Sequence, residues 1–279
     1  MAERWWLVLG RDVVVVRGPE AGAYLQGQLS QDVASLGEGG HAWSWLLAPT
    51  GKVDALVRVG RLGAEEWVLD TDAGWGRAVA ERLERFKLRT KADVAAAEEA
   101  AVVALRGEGW EKAPPRGADL VAAPPWPGVA GADLVLLGGV LPDLPAEERV
   151  EPAAYEPERI AAGIPRMGAE LDERTIPGET GLVALTVSFT KGCYTGQELV
   201  ARIDSRGGNV PRHLRRLRLD GPALPGTELL DGDRSAGVVT STAESPRLGW
   251  VGLGYVKRAW QPPVSLRAGV DGPRVEVVP

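Results

Sequence analysis

The chain holds one cysteine, Cys193, within the stretch Ser188 to Gly207, SFTKGCYTGQELVARIDSRG. A thiolate is both a nucleophile and a metal ligand, so the neighbours of this sulfur decide what it can do. Lys191 and Gly192 precede it, and Tyr194, Thr195, Gly196 and Gln197 follow. The paired glycines predict a tight loop in which backbone comes close to something. From Gln197 onward, Leu199, Val200 and Ile203 form an apolar face at helical spacing, with Glu198, Arg202 and Asp204 facing away. Thr195 and Glu198 have the spacing of a capping box. Cys193 is therefore expected just ahead of a helix N-terminus, where the helix dipole and Lys191 both favour a thiolate. The plain alternative is a small buried hydrophobe, the usual fate of a lone cysteine.

Composition limits the chemistry. The chain has 279 residues, enough for one large domain or a few small ones. With 44% hydrophobic and 25% charged residues, a soluble globular protein is expected. One cysteine excludes a disulfide framework and fits a reducing cytosol. Together with the two histidines, His41 and His213, it is too few for a typical Cys/His zinc site, so no metal is assigned. No stretch reaches membrane-spanning length without a charge or a glycine. The start MAERWWLVLGRD carries an early acid and no small-residue cleavage site, so no signal peptide is read and a cytoplasmic location is expected. A net charge of -6 argues against a protein that coats nucleic acid with its whole surface, but a local basic patch is compatible with it. GxSxG, HExxH, CxxC and a post-strand GxGxxG are all absent. Thr50-Gly51-Lys52 is not a P-loop, because Leu46 stands where the first glycine belongs. A histidine on a strand is usually satisfied structure, and neither His41 nor His213 is given a catalytic role.

The elements that must position the loop read as follows. Trp5 to Val8 and Val13 to Val16 are apolar runs around Gly10-Arg11-Asp12, which predicts a hairpin. A helix follows from Pro19 through Leu29. VVVVRGPEAG and VVALRGEGWE share a strand, an Arg-Gly turn and an acid, which suggests two similar half-units in one sheet. Strands are expected at His41 to Leu47, Val53 to Val59 and Glu66 to Leu69, with links too short for crossovers and hence antiparallel pairing. Asp70-Thr71-Asp72 is expected to cap a helix from about Ala73 to Phe86, buried through Trp75, Val79, Leu83 and Phe86. Residues 107–132 are rich in proline and glycine and read as a long loop. Past Arg212, short strands with frequent turns predict a barrel of about five or six strands.

The loop KGCYTGQELVARIDSRG resembles the signature of the YgfZ family, folate-binding relatives of the glycine cleavage T-protein (GcvT, an aminomethyltransferase). The resemblance is clearest from Pro152 onward. It implies an α+β fold of the GcvT/YgfZ type: intertwined antiparallel α+β units around a central cavity, with a C-terminal β-barrel. The implied division is residues 1–40 with 118–209 as a folate-cradling domain, 41–117 as a second α+β domain, and 210–279 as the barrel. The implied cofactor is tetrahydrofolate or a one-carbon derivative, and the implied role is support of iron–sulfur enzymes and tRNA modification. TGKVDALV resembles the T-protein segment whose aspartate contacts the reactive folate nitrogens, which makes Asp54 the matching carboxylate. Pro177-Gly178-Glu179 matches a Pro-x-Glu, so Glu179 is a second candidate. With the loop, the cofactor-binding set becomes Asp54, Glu179, Lys191, Gly192, Cys193, Tyr194, Gly196, Gln197, Glu198 and Arg202, with Cys193 and Asp54 as the catalytic candidates. Ala161 stands where the T-protein has an acid that grips the pterin, which speaks against T-protein catalysis. The rival readings are a folate-dependent aminomethyl- or methyltransferase and a folate-independent interaction scaffold. The arginines from Arg202 to Arg218 suit a folate glutamate tail or an RNA backbone. For Arg216 and Arg218 a solvated strand face is the favoured reading.

Overall fold

The computed structural model describes residues 4–125 and 128–278. The chain separates into two compact units, Met1–Pro152 with Ala184–Leu199, and Ala153–Val183 with Val200–Pro279. Along the first stretch lie β1 (Trp5–Leu9), β2 (Arg11–Arg17), α1 (Ala21–Gln28), β3 (His41–Leu47), β4 (Val53–Arg61), β5 (Glu66–Asp72), α2 (Gly76–Lys87), β6 (Asp93–Ala96), β7 (Ala101–Arg106), β8 (Leu120–Ala122) and β9 (Gly131–Leu136). These strands form two antiparallel sheets, ordered β3-β4-β5-β2-β6 and β1-β7-β9-β8.

The run Val13 to Val16 explains how the sheets stack. All four valines are buried, because β2 is covered on both faces. Val14 and Val16 turn toward Tyr24 and Leu25 of α1 and Val79 and Leu83 of α2. Val13 turns the other way, joining Val68, Val102, Leu120 and Val135 where the second sheet lies against the first. This alternation is the strand period of two.

A chain of buried charges accompanies that layer. Arg58 donates from Nε to Asp70 at 2.8 Å and from Nη1 to Asp133 at 2.6 Å. Arg106 donates to the other Asp133 oxygen at 2.6 Å, and Arg11 binds Asp70. None of Arg58, Asp70, Asp133 and Arg106 is more than 4% exposed. Burial opposes the Asp133 charge, but Arg106 and Arg58 outweigh it and hold the carboxyl below its ordinary range.

Several sequence expectations change here. β1 and β2 do not form a hairpin, since β1 pairs with β7 and β2 with β5 and β6. The two Arg-Gly repeats follow β2 and β7, and these strands sit in different sheets rather than one. Their glycines do share a local role: Gly18 and Gly107 both have positive φ, at 131° and 103°. The start of α2 is capped from a distance. Asp12 accepts from the N–H groups of Gly74 and Gly76, each at 2.8 Å, and Asp70 is committed to the charge chain instead.

The second unit carries α3 (Pro152–Ala162), which begins on the last residue of the first. Next come α4 (Val183–Thr186) and α5 (Gln197–Ser205), short helices that straddle the division. Then follow β10 (Arg212–Leu219), β11 (Glu228–Asp231), β12 (Arg234–Ser245), β13 (Gly249–Lys257), β14 (Val264–Ala268) and β15 (Arg274–Val278). These six close into a barrel, ordered β10-β13-β12-β11-β14-β15. Leu217, Leu219, Leu229, Val239, Val256 and Val277 belong to its core. Among the described residues no helix is long and apolar enough to cross a membrane.

Asp133→Asn leaves two buried guanidinium groups short of a counter-charge, and a loss of about 3–5 kcal/mol in denaturant unfolding is expected. A depressed acid contributes stability that is present above its unfolded value and lost as pH falls through the folded one. Wild type should therefore lose stability steeply below about pH 4, and the Asn variant less steeply, when midpoints are compared across pH.

Candidate functional site

The signature loop is held by α1. Three backbone carbonyls near the end of this helix, those of Gln26, Leu29 and Gln31, receive the Lys191 ammonium at 2.6, 2.7 and 3.0 Å. A helix C-terminus leaves carbonyls without partners, and a cation suits both their lone pairs and the dipole. All three ammonium donors are thereby used. Burial pushes the Lys191 pKa down to about 8, with Asp32 opposing. Further bonds run along the same seam. The Ser30 hydroxyl donates to the Thr186 carbonyl at 2.6 Å, Gln31 Nε2 to the Leu185 carbonyl at 2.9 Å, and the Ser188 and Thr195 N–H groups to the Ser30 and Gly27 carbonyls at 3.0 Å each.

The far end of the loop is held by glycine. Gly196 and Gly51 have φ of 82° and 83° and face one another. A Cβ on Gly196 would stand 2.5 Å from the Ala48 carbonyl oxygen and 2.8 Å from the Leu47 Cβ. One on Gly51 would stand 2.4 Å from the Leu199 Cβ. The close approach that the paired glycines predict is thus an approach to the β3–β4 turn, and it falls on Gly196. Around Gly192 a Cβ would meet nothing within 4 Å. The cap of α5 is built one residue earlier than Thr195–Glu198: the Tyr194 N–H donates to Gln197 Oε1 at 3.1 Å.

Between these anchors, Cys193 is exposed, which removes the buried-hydrophobe alternative. Phe189 nearby is 50% exposed. Tyr194 is partly buried, which raises its phenol to about 12, and its ring lies 5.2 Å from the Lys191 ammonium. Glu198 and Arg202 are exposed on α5.

Asp54 lies three residues beyond Gly51, so the same turn that receives Gly196 also places this carboxylate. Arg82 of α2 donates from Nε to Asp54 at 2.9 Å, from Nη2 to the Leu47 carbonyl at 2.9 Å, and from Nη1 to Gln28 Oε1 at 3.2 Å. Arg82 also lies 3.7 Å from the Phe86 ring centre. The Asp54 side chain keeps 30% exposure. The end of α1, the β3–β4 turn and the loop therefore form one cluster, joining Asp54, Lys191 and Gly196. Sequence reasoning passed over Arg82 and the segment Gln26 to Asp32. The available signal was the polar run Gly27-Gln28-Leu29-Ser30-Gln31-Asp32 directly behind an apolar helix face.

Glu179 belongs to the second unit. It is 3% exposed, accepts from Arg212 at 3.2 Å, and has its pKa raised by burial, with Arg212 opposing. The Arg212 guanidinium lies 4.0 Å from the Tyr255 ring centre. Ala161 packs beside the cluster of Ile160, Leu214, Val251, Leu253 and Tyr255. His41 is structural, accepting from the Ala123 N–H at 2.9 Å. Among the described residues no group of three or more His, Cys, Asp or Glu side chains is placed to hold a metal ion.

Comparison with known proteins shows what the chain resembles. No protein-family model matches the chain. It is 28% identical over 217 residues to a tRNA-modifying protein YgfZ from Cronobacter sakazakii, covering 71% of this chain and 66% of that one. It is 53% identical over 51 residues to the Yersinia pestis YgfZ, covering 18% and 16%. An iron–sulfur cluster assembly factor IBA57 homologue, mitochondrial, from Mycosarcoma maydis is 27% identical over 212 residues, covering 71% and 53%. Over 71% of its length the chain is thus similar to proteins named YgfZ and IBA57. The matched region spans less than two thirds of the YgfZ and IBA57 relatives' own lengths. Its fold is that of the glycine cleavage system aminomethyltransferase T from Bartonella henselae, with a TM-score of 0.83 at 21% identity, covering 99% of this chain and 85% of that one. The α+β architecture with a C-terminal barrel, which the family resemblance implied, is the observed one.

The anchors make a graded expectation. Lys191→Met leaves partly buried carbonyls short of a donor, and Gly196→Ala forces backbone apart, so each should cost on the order of 3 kcal/mol. Gly192→Ala meets open space and should change the melting temperature little. Thermal unfolding of the three variants, with limited proteolysis of the loop, checks the order.

Proposed function

We propose that this protein is a tetrahydrofolate-binding member of the YgfZ family that supports iron–sulfur enzymes, tRNA-modifying ones included. The observation that carries this reading is an exposed thiol on a loop fastened at both sides, by Lys191 to the end of α1 and by Gly196 to the β3–β4 turn. A sulfur presented in this way suits chemistry or contact at the surface rather than packing. The names of the YgfZ and IBA57 relatives supply the biological setting.

The residues of the first unit fit a reduced folate in one respect. Asp54 is a carboxylate reached by solvent and oriented by a buried arginine, suited to steer protonation at the reactive folate nitrogens. Folate would supply a one-carbon carrier there. The second unit offers less, because Glu179 is engaged with Arg212, and Ala161 has apolar neighbours where a pterin-gripping acid would stand. This supports binding without T-protein turnover. The aminomethyltransferase reading keeps the fold likeness in its favour, and reconstitution with the other glycine cleavage components tests it. Turnover matching an authentic T-protein would overturn our preference. In the proposed reading the protein works in the cytoplasm, and its partners are iron–sulfur or tRNA-modifying enzymes.

Two experiments test the proposal. Tetrahydrofolate, its formyl and methylene forms, and folic acid are titrated by calorimetry and by quenching of the ten tryptophans. No heat and no quenching at millimolar ligand would remove folate from the function. Cys193→Ser and Cys193→Ala are expected to stay folded, because the side chain is exposed, yet fail to restore iron–sulfur enzyme activity in a host lacking its own copy. A fully active alanine variant would make the sulfur dispensable.

A further inference from the structure

Among the described residues, the barrel carries a group of cations that no carboxylate answers. His213 and Arg215 are two residues apart on β10, so they lie on one face of the strand. The chain leaving β13 brings Arg258 beside them, its N–H donating to the Pro211 carbonyl at 2.9 Å, next to the start of β10. Burial lowers the His213 pKa, and the charges of Arg215 and Arg258 lower it further, so both arginines reach the imidazole.

Other arginines show how unusual this is. Arg4, Arg11, Arg58, Arg82, Arg106, Arg159 and Arg212 are all at least partly buried, and each holds a carboxylate. Arg61 is satisfied by the carbonyls of Gly63 and Leu36. Arg215 is also partly buried, yet among the described residues it has neither kind of partner. Burial without a compensating acid lowers its guanidinium. The chain has 38 acids to 32 lysines and arginines, so a cationic cluster with no acid in it runs against the overall balance.

We infer that His213, Arg215 and Arg258 form an oxyanion site on the barrel that takes a phosphate group. A guanidinium fork matches two phosphate oxygens, and a protonated imidazole adds a third charged donor. The phosphate can come from a small free phosphate or from a phosphodiester backbone, and the test separates the two. A bound phosphate favours imidazolium, so affinity should rise as pH falls below 7, and the faces that set His213 are those carrying Arg215 and Arg258.

The experiment follows the His213 ring proton by NMR while sodium pyrophosphate or a short single-stranded RNA is added. With only two histidines in the chain, a His213→Gln spectrum assigns the signal and His41 reports the fold. The expected result is a saturable His213 shift with a raised imidazole pKa, and a tenfold or greater loss of affinity in both Arg215→Gln and Arg258→Gln. Response to pyrophosphate as well as RNA identifies a small-phosphate site, and response to RNA alone identifies a backbone site. Arg258 is exposed, so its variant keeps the test valid if Arg215→Gln unfolds. No His213 shift with either anion, or wild-type affinity in the folded variants, overturns the site.

Discussion

The grip of the Lys191 ammonium on three carbonyls is the contact on which the candidate site depends. It joins residues 160 to 165 positions apart in the chain. A helix end otherwise has to find donors in water or in caps, and here a side chain from the signature loop provides them. The bond serves both partners: α1 gains its terminal donors, and the loop gains a fixed starting point. Gly196 supplies the second fixed point, where two glycines allow backbone to meet backbone closer than any Cβ would permit. Between them the sulfur of Cys193 needs no packing of its own to be held in place.

This arrangement also assigns Lys191 a role different from the one its position beside a cysteine suggests. A lysine that spends every N–H on carbonyls is an anchor for the loop, and any influence on the thiol is secondary. The same economy runs through the first unit. Arg82 orients Asp54 while binding Leu47 and Gln28, so the carboxylate and the turn that receives Gly196 are set by one side chain. Asp54 and the loop are thus linked through the scaffold, α1 on one side and the β3–β4 turn on the other.

The sequence carried the parts that depend on local pattern. Val79 and Leu83 are buried on α2 as their spacing requires, and Arg212 to Leu219 forms a barrel strand whose last four residues alternate in burial. Local pattern failed where distant partners decide. Gly10 separates two strands of different sheets, and nothing in Trp5 to Val16 reveals that β7 and β5 are the preferred partners. The α2 cap comes from Asp12 on β2, because Asp70 is drawn into the buried charge chain with Arg58 and Arg11. The segment Gln26 to Asp32 was missed for the same reason: its polar side chains look like a solvated turn until the loop some 160 residues later is brought against them.

Ala161 is an apolar position in a unit whose buried charges are already matched. An acid at that position would need a ligand donor or a cation to offset its burial. Alanine needs neither, and it packs beside Ile160, Leu214 and Tyr255. The nearby buried charges are already matched: Arg159 holds Glu156 and Glu170, and Arg212 holds Glu179. Opening any of these pairs would leave a charge without its counter-charge. The second unit has thus committed Glu156, Glu170 and Glu179 to its own structure, whereas the first keeps a solvent-reached carboxylate and an exposed thiol on a fastened frame.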